Sequence, residues 1–406
     1  MKTVGILGGG QLGAMLASAI GDLGGDVAVY EPVKEAPACR RVQKFVNAPY
    51  SDRDALARFF DACDVVTYET EHIDTSALRA LDTREKLRPS LRVLEVTQHR
   101  EREKKFLAEQ NLPHAMFDAV SDPSEIARSA EKIGFPCIAK TTRGGYDGKG
   151  QFYLAKPEDA AEPARILPKG TPCVVEEAIE LVMEASCIVA RAPNRASSGA
   201  AAAYDEVTFP IFENMHSAHI LDLTLVPARV SAAVANAMRD LALKAAAALD
   251  VTGLLTTEFF LAKPTERSKV VVDGTAIYVN ELAPRPHNSG HVTRTTCSSS
   301  QFDVLARILL GAPLTPVLEA AAGVHCMANL LGDLWAEDRR SPLDLSSWRE
   351  FPDVVEVVLY GKRDAQARRK MGHVVTRGTD ANVVMQRARA FRESLRRRRA
   401  PRPDGS

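Results

Sequence analysis

The 406-residue chain has no surplus of charge, since 52 basic residues balance 52 acidic ones. Nothing in its overall field therefore favours nucleic acid or an anionic membrane as partner, and any anion site has to be local. It has no Cys-x-x-Cys pair. Its seven cysteines, Cys39, Cys63, Cys137, Cys173, Cys187, Cys297 and Cys326, are scattered and odd in number, which speaks for reduced, buried thiols and against a zinc site. No stretch reaches the ~20 apolar residues of a membrane helix. The first residues carry one lysine and a glycine-broken apolar run, unlike a signal peptide, so cytoplasmic residence is expected. There is no internal repeat and no G-x-x-x-x-G-K-[ST] phosphate loop.

What is present can bury large cores: 45% of the residues are hydrophobic, and the length suits two or three domains. Residues 1–110 alternate short apolar strands (VGIL, VAVY, DVVTYE) with helical stretches, the pattern of a parallel sheet covered on both faces. A charged amphipathic helix, QHREREKKFLAEQ, closes this unit. Residues 111–190 read as a smaller α/β unit, and residues 191–390 as an α+β region with a largely antiparallel sheet and an alanine-rich helix. Residues 391–406 end in SLRRRRAPRPDGS and read as a disordered basic tail.

The turn in VGILGGGQLGAML places Gly8, Gly10 and Gly13 between a strand and a helix, where backbone amides hold phosphate. Glu31, about 20 residues on, fits a dinucleotide's ribose, so a nicotinamide-dependent oxidoreductase is one reading. A tight turn with nothing bound is another. The strand-end stretch TYETEH, with Glu69 and Glu71, should share the crevice. A second glycine loop, TTRGGYDGKGQ, suits a mobile flap over a triphosphate, with Lys149 adding charge and Lys140 ending the strand before it. Glu176, Glu177 and Glu184 in CVVEEAIELVMEAS are either solvated acids or acids meeting a nucleoside. Glu258 and Glu281 lie in apolar strands, where unpaired carboxylates are costly; a shared Mg²⁺ would explain both. NELAPRPHNSGH crowds Asn280, Glu281, Arg285, His287, Asn288, Ser289 and His291 together, and Lys362 with Arg369 reads as a monophosphate clamp or as a basic hairpin.

GGGQLG, GGYDGKGQ, ENMHSAHIL, NELAPRPHNSGHVT with SQF, and KMGH, in this order over residues 1 to about 378, make the sequence resemble the ATP-grasp ligases, and within them the 5-(carboxyamino)imidazole ribonucleotide synthases of purine biosynthesis. The resemblance implies an ATP-grasp fold behind an N-terminal doubly wound preATP-grasp domain. It implies ATP-dependent carboxylation of aminoimidazole ribonucleotide by bicarbonate through carboxyphosphate, with Mg²⁺. Residue by residue, it places Arg100, Lys140, Gly145, Tyr146, Asp147, Gly148, Lys149, Gly150, Gln151, Glu176, Glu177, Ile179, Glu184, His216, Asn280 and Glu281 at ATP, and Glu258 with Glu281 at the metal. Gly10, Gln11, Leu12, Glu69 or Glu71, Tyr146, His287, Asn288, Ser289, Lys362 and Arg369 fall to the ribonucleotide, whose phosphate the first glycine turn would take. Arg285, Lys149 and Asn288 fall to catalysis. A homodimer is implied, with the downstream mutase as a functional partner. Ala14, His219 and Ala367 depart from the family pattern, where arginine, glycine and glycine are usual. Two further readings stand beside this one: a formate-dependent glycinamide ribonucleotide formyltransferase, whose flap would lack Tyr146 and Asp147, and a nucleotide-binding scaffold, which would lack Glu258 or Glu281.

Overall fold

The computed structural model describes residues 1–81, 86–144, 150–194, 204–316, 323–335, 339–340 and 342–397. The strands β1 (Thr3–Leu7), β2 (Asp26–Tyr30), β3 (Lys44–Val46) and β4 (Val65–Tyr68) form a parallel sheet in the order β3, β2, β1, β4. Alternation along the strands sends Val4, Ile6, Val29 and Val65 to one face and Leu7, Ala28, Tyr30, Val66 and Tyr68 to the other. Helix Gln11–Asp22 covers the first face, and helix Arg53–Asp61, capped by the Asp52 carboxylate on the Ala55 amide, covers the second. This is the expected doubly wound unit. β3 escapes the sequence reading because three residues are too short to show a period.

β5 (Phe117–Val120), β6 (Cys137–Thr141), β7 (Gln151–Leu154) and β8 (Cys173–Glu177) make a small antiparallel sheet in the order β5, β8, β6, β7. The remaining strands are β9 (Leu181–Pro193), β10 (Tyr204–Thr208), β11 (Phe212–Ser217), β12 (Ile220–Val226), β13 (Gly253–Ala262), β14 (Val271–Val272), β15 (Thr275–Ala283), β16 (Val324–Leu331), β17 (Val354–Leu359) and β18 (Lys370–Gly378). They build one antiparallel sheet in the order β14, β15, β13, β9, β11, β12, β16, β18, β17, with β10 on β9. Two expectations change. The boundary expected at residue 190 falls inside β9, so the chain leaves the small sheet already at residues 178–180. AYDEVTFPIF is two strands, because Pro210 cannot continue a ladder.

The alanine-rich helix Ala232–Ala248 lies on the large sheet through Met238, Ala242, Ala245 and Ala246, against Val189, Leu255 and Phe259. On the opposite side helix Gln301–Leu310 wedges between the sheet and helix Gln11–Asp22 and welds the N-terminal unit to the rest. The last helix, Ala381–Arg397, buries Val384, Ala388, Phe391 and Leu395 on β16 and β18. The tail expected from residue 391 is therefore helical to Arg397. Its apolar period of three to four residues is carried by Phe391 and Leu395, which the arginine run masks in the sequence. Residues 398–406 lie outside the described residues.

Candidate active site

β13 and β15 pair so that Glu258 stands directly opposite Glu281, and a register shift follows immediately after Glu258. Two carboxylates on adjacent strands repel unless a cation joins them. Burial and the Glu258 charge raise the Glu281 pKa, against Arg100, whose guanidinium lies 3.8 Å away. Burial also opposes ionisation of Glu258, but His287, with Nε2 2.8 Å from Oε1, holds that carboxyl well below the usual range. The donor set fits Mg²⁺, which takes one or two carboxylates and completes its shell with substrate phosphates and water. Beside the pair, Arg285 donates from Nε to Glu71 Oε2 at 2.7 Å, and Glu71, Arg100, Thr142, Glu281 and Arg285 line a polar cleft of about 110 Å³.

The loop after β15 is fixed by the segment SQF. Gln301, fully buried, accepts the His287 amide at 2.8 Å and donates to the His287 carbonyl at 2.8 Å. Asn288 has both side-chain amide atoms buried and unpartnered, an orphan pair that suits a ligand. Ser289 corrects an expectation. Its side chain is fully buried behind His287, with Oγ 2.8 Å from His287 Nδ1, so it supports the cavity wall without lining it.

A second cluster joins three elements. Glu176 on β8 receives Lys140 of β6 at 3.0 Å and Lys104 of helix Arg100–Glu109 at 3.3 Å, all within 7% exposure. Burial works against the Glu176 charge, yet the two lysines bring its pKa down to about 2, while burial lowers that of Lys140. Glu176 Oε1 remains buried without a partner, an acceptor open towards a ligand. Lys104 also donates to the Asn280 carbonyl at 3.1 Å, and Glu103 Oε1 accepts the Leu282 amide at 2.7 Å. Lys104 and Glu103 were missed by the sequence reading. The signal was available: Arg100, Glu103, Lys104 and Leu107 share one helical face, so charges stand on the side that meets the core. Nearby, Glu184 and His216 meet at 2.6 Å, Glu177 lies 3.4 Å from Arg267, and Ile179 with Phe260 packs against Ala262, Ala276 and Tyr278. Gly150 and Gln151 lead into β7; Gly145, Tyr146, Asp147, Gly148 and Lys149 lie outside the described residues.

The first glycine turn holds a carboxylate of the protein itself. Glu69 accepts the Gly10 amide and, at 2.5 Å, the Gly13 amide. A Cβ on Gly8 or Gly10 would stand 2.4 or 2.6 Å from Glu69, so these glycines are required by the acid's close approach. The Gly10 amide, expected on the substrate phosphate, is thus engaged, which leaves those of Gln11 and Leu12 in a first helical turn that has no intrahelical acceptors. Glu31 is engaged likewise, accepting the Gly9 and Val33 amides at 2.7 and 2.8 Å, which removes it as a holder of dinucleotide ribose. Lys362 lies near Glu69 and donates to the Lys370 carbonyl at 2.7 Å; burial takes its pKa down to about 8. Arg369 is exposed on the same hairpin and donates to the Asp364 carbonyl at 3.0 Å. Of the departing positions, Ala14 is packed in the core of its helix and His219 holds a left-handed φ of 65° in the β11–β12 turn.

The chain matches the family model of the ribonucleotide synthetase preATP-grasp domain over residues 1–98, that of the ATP-grasp domain over 105–302, and that of the phosphoribosylaminoimidazole carboxylase C-terminal domain over 325–387. It is 36% identical over 374 residues to an N5-carboxyaminoimidazole ribonucleotide synthase of Bacillus subtilis, covering 91% of this chain and 90% of the relative. The crystal structure of N5-carboxyaminoimidazole synthetase from Staphylococcus aureus complexed with ADP superposes with a TM-score of 0.84 at 32% identity, covering 96% and 97% of the two chains. That of N5-carboxyaminoimidazole synthase from Aspergillus clavatus in complex with ADP and 5-aminoimidazole ribonucleotide gives 0.82 at 28% identity, covering 98% and 99%. The fold is an ATP-grasp domain behind a preATP-grasp domain, and the chain belongs to the N5-carboxyaminoimidazole ribonucleotide synthase family.

Proposed function

We propose that this chain carboxylates 5-aminoimidazole ribonucleotide with bicarbonate at the expense of ATP, releasing ADP and phosphate. The observation that carries the reading is the cross-strand pair Glu258 and Glu281, set beside Arg285 and the buried cluster of Lys104, Lys140 and Glu176. Bound Mg²⁺ would neutralise charge on the transferring phosphoryl group. Lys140 and Arg100 face the triphosphate, the open Glu176 Oε1 accepts from the adenine amino group, and Ile179 with Phe260 offers the ring an apolar wall. Glu184, oriented by His216, takes the ribose.

A bicarbonate oxygen attacks the γ-phosphorus, the bond to the β-γ bridging oxygen breaks, and ADP leaves. The exocyclic amine then attacks the carboxyl carbon of carboxyphosphate, the carbon to phosphate-oxygen bond breaks, and the departing phosphate takes the amine proton. Arg285 and the orphan amide of Asn288 supply donors to the carboxylate oxygens in this step. The ribonucleotide phosphate lies between the Gln11 and Leu12 amides and Lys362 with Arg369. The assignment is tested by following phosphate release from Mg-ATP and bicarbonate. Aminoimidazole ribonucleotide should stimulate it, and glycinamide ribonucleotide with formate should not; the reverse pattern would move the chain to the formyltransferases. The dimer and the coupling to a mutase belong to the same reading.

A further inference from the structure

Behind His287 runs a chain of buried polar groups. Thr224 Oγ1 on β12 donates to Asn214 Oδ1 on β11 at 3.2 Å; Asn214 Nδ2 donates to Ser186 Oγ on β9 at 2.9 Å. Ser186 Oγ lies 2.9 Å from Ser289 Oγ, which lies 2.8 Å from His287 Nδ1. The far ring nitrogen, Nε2, faces Glu258 at 2.8 Å. Thr224, Ser186 and Ser289 are 0% exposed and Asn214 5%, so no water competes for their protons. Hydroxyls can point either way, but an amide cannot. Since Asn214 donates to Ser186, Ser186 has its proton free for Ser289, and Ser289 has its proton free for His287. The Ser289 backbone amide, 3.4 Å from His287 Nδ1, points at the same nitrogen and agrees with this polarity, but at that length it is too weak to hold the tautomer without the Oγ–H bond.

The geometry points to Asn214 as a positioning residue that, through Ser186 and Ser289, holds His287 as the tautomer with a bare Nδ1 and a proton on Nε2. His287 then presents a donor to Glu258 in the free enzyme and to an anionic oxygen of the substrates in the closed site. It is not set up as a base on that side. This gives the asparagine of ENMHSAHIL a role and deepens the proposed carboxylation, on which its catalytic meaning rests. The tautomer itself can be measured without any substrate, so the two readings fail separately.

The test is long-range proton–nitrogen correlation on protein labelled with ¹⁵N-histidine, the His287 signals being assigned by their loss in His287→Gln. Wild-type protein should show the Nε2–H pattern at His287. Asn214→Leu and Ser186→Ala cut adjacent links, so each should release the lock and mix the tautomers, with kcat down about 10–100-fold and KM for ATP nearly unchanged. Because both act on one chain, the double variant should lose little more than either alone. An Nδ1–H pattern in the wild-type protein overturns the proposal without any variant. So does a pure Nε2–H signal in folded Ser186→Ala together with Asn214→Leu.

Discussion

Lys104→Met removes one of two ammonium groups from a buried carboxylate, and its cost can be worked from the site. The surrounding cations bring the Glu176 pKa from the usual 4.5 down to about 2, which corresponds to ~3 kcal/mol that Lys104 and Lys140, with a smaller share from Arg100, supply in excess of the burial penalty. The lysines stand at similar distances, 3.3 and 3.0 Å, so each supplies half of this excess and half of the attraction that offsets burial, and losing Lys104 costs at least ~1.5 kcal/mol. Its hydrogen bond to the Asn280 carbonyl adds ~1 kcal/mol. Methionine keeps most of the apolar stem, so the loss should be ~2–3 kcal/mol, or about 2–4 °C in Tm for 406 residues that unfold cooperatively. The sign with pH follows from the depressed pKa of Glu176: its contribution is complete above the ordinary carboxylate value and is lost as pH falls through about 2. The gap between wild type and variant is therefore widest at neutral pH and narrows on acidification. Thermal melts across pH, with a double-mutant cycle against Glu176→Gln, read both quantities. A Tm within ~1 °C of wild type together with additive single variants would show that Lys104 is not tied to Glu176.

Three other perturbations separate parts of the account. Glu281→Gln should abolish turnover, lowering it more than about 100-fold, while the ligand-free fold is unchanged or gains up to ~0.5 kcal/mol, a small figure because the side chain is 43% exposed and solvent screens its repulsion with Glu258. The Glu281 pKa is raised, so the stability it contributes exists below the ordinary carboxylate value and is lost as pH rises; any gain from glutamine should appear near neutral pH and vanish in acid. Lys362 loses its proton near pH 8, so KM for the ribonucleotide should climb above that pH, by up to about tenfold per pH unit, and Lys362→Arg should flatten the profile; a flat wild-type profile would remove Lys362 from the phosphate. Phe391→Ala should cost ~3–5 kcal/mol in denaturant melts because the ring is fully buried, whereas a disordered tail would tolerate it.

The doubly wound unit was legible because its strands and helices alternate with strong periods and carry their own caps, such as Asp52 and Asp74. The pairing of Glu258 with Glu281 was legible as chemistry, since two acids in apolar strands need a reason, but their cross-strand register is a long-range fact no local pattern contains. Chain separation also hid Lys104, which is 72 residues from its partner Glu176, and the route from Thr224 to His287, whose members come from four elements. The glycine turn was legible as a place of close approach, but not the identity of its anion: from sequence, what fits two amides is a phosphate or a carboxylate alike, and here Glu69 takes the amides of Gly10 and Gly13. The arginine run at the end outweighed Phe391 and Leu395 in composition, although those two decide where the helix docks.

In the proposed reaction Glu258 and Glu281 would grip a divalent cation together with the nucleotide phosphates. Crystals grown with ADP and Mn²⁺ in place of Mg²⁺ test it directly through the anomalous signal of manganese. A peak within coordination distance of both carboxylates and a diphosphate oxygen is the predicted result. An ordered ADP with the manganese bound elsewhere, or with Glu258 and Glu281 still turned to His287 and Arg100, would contradict it.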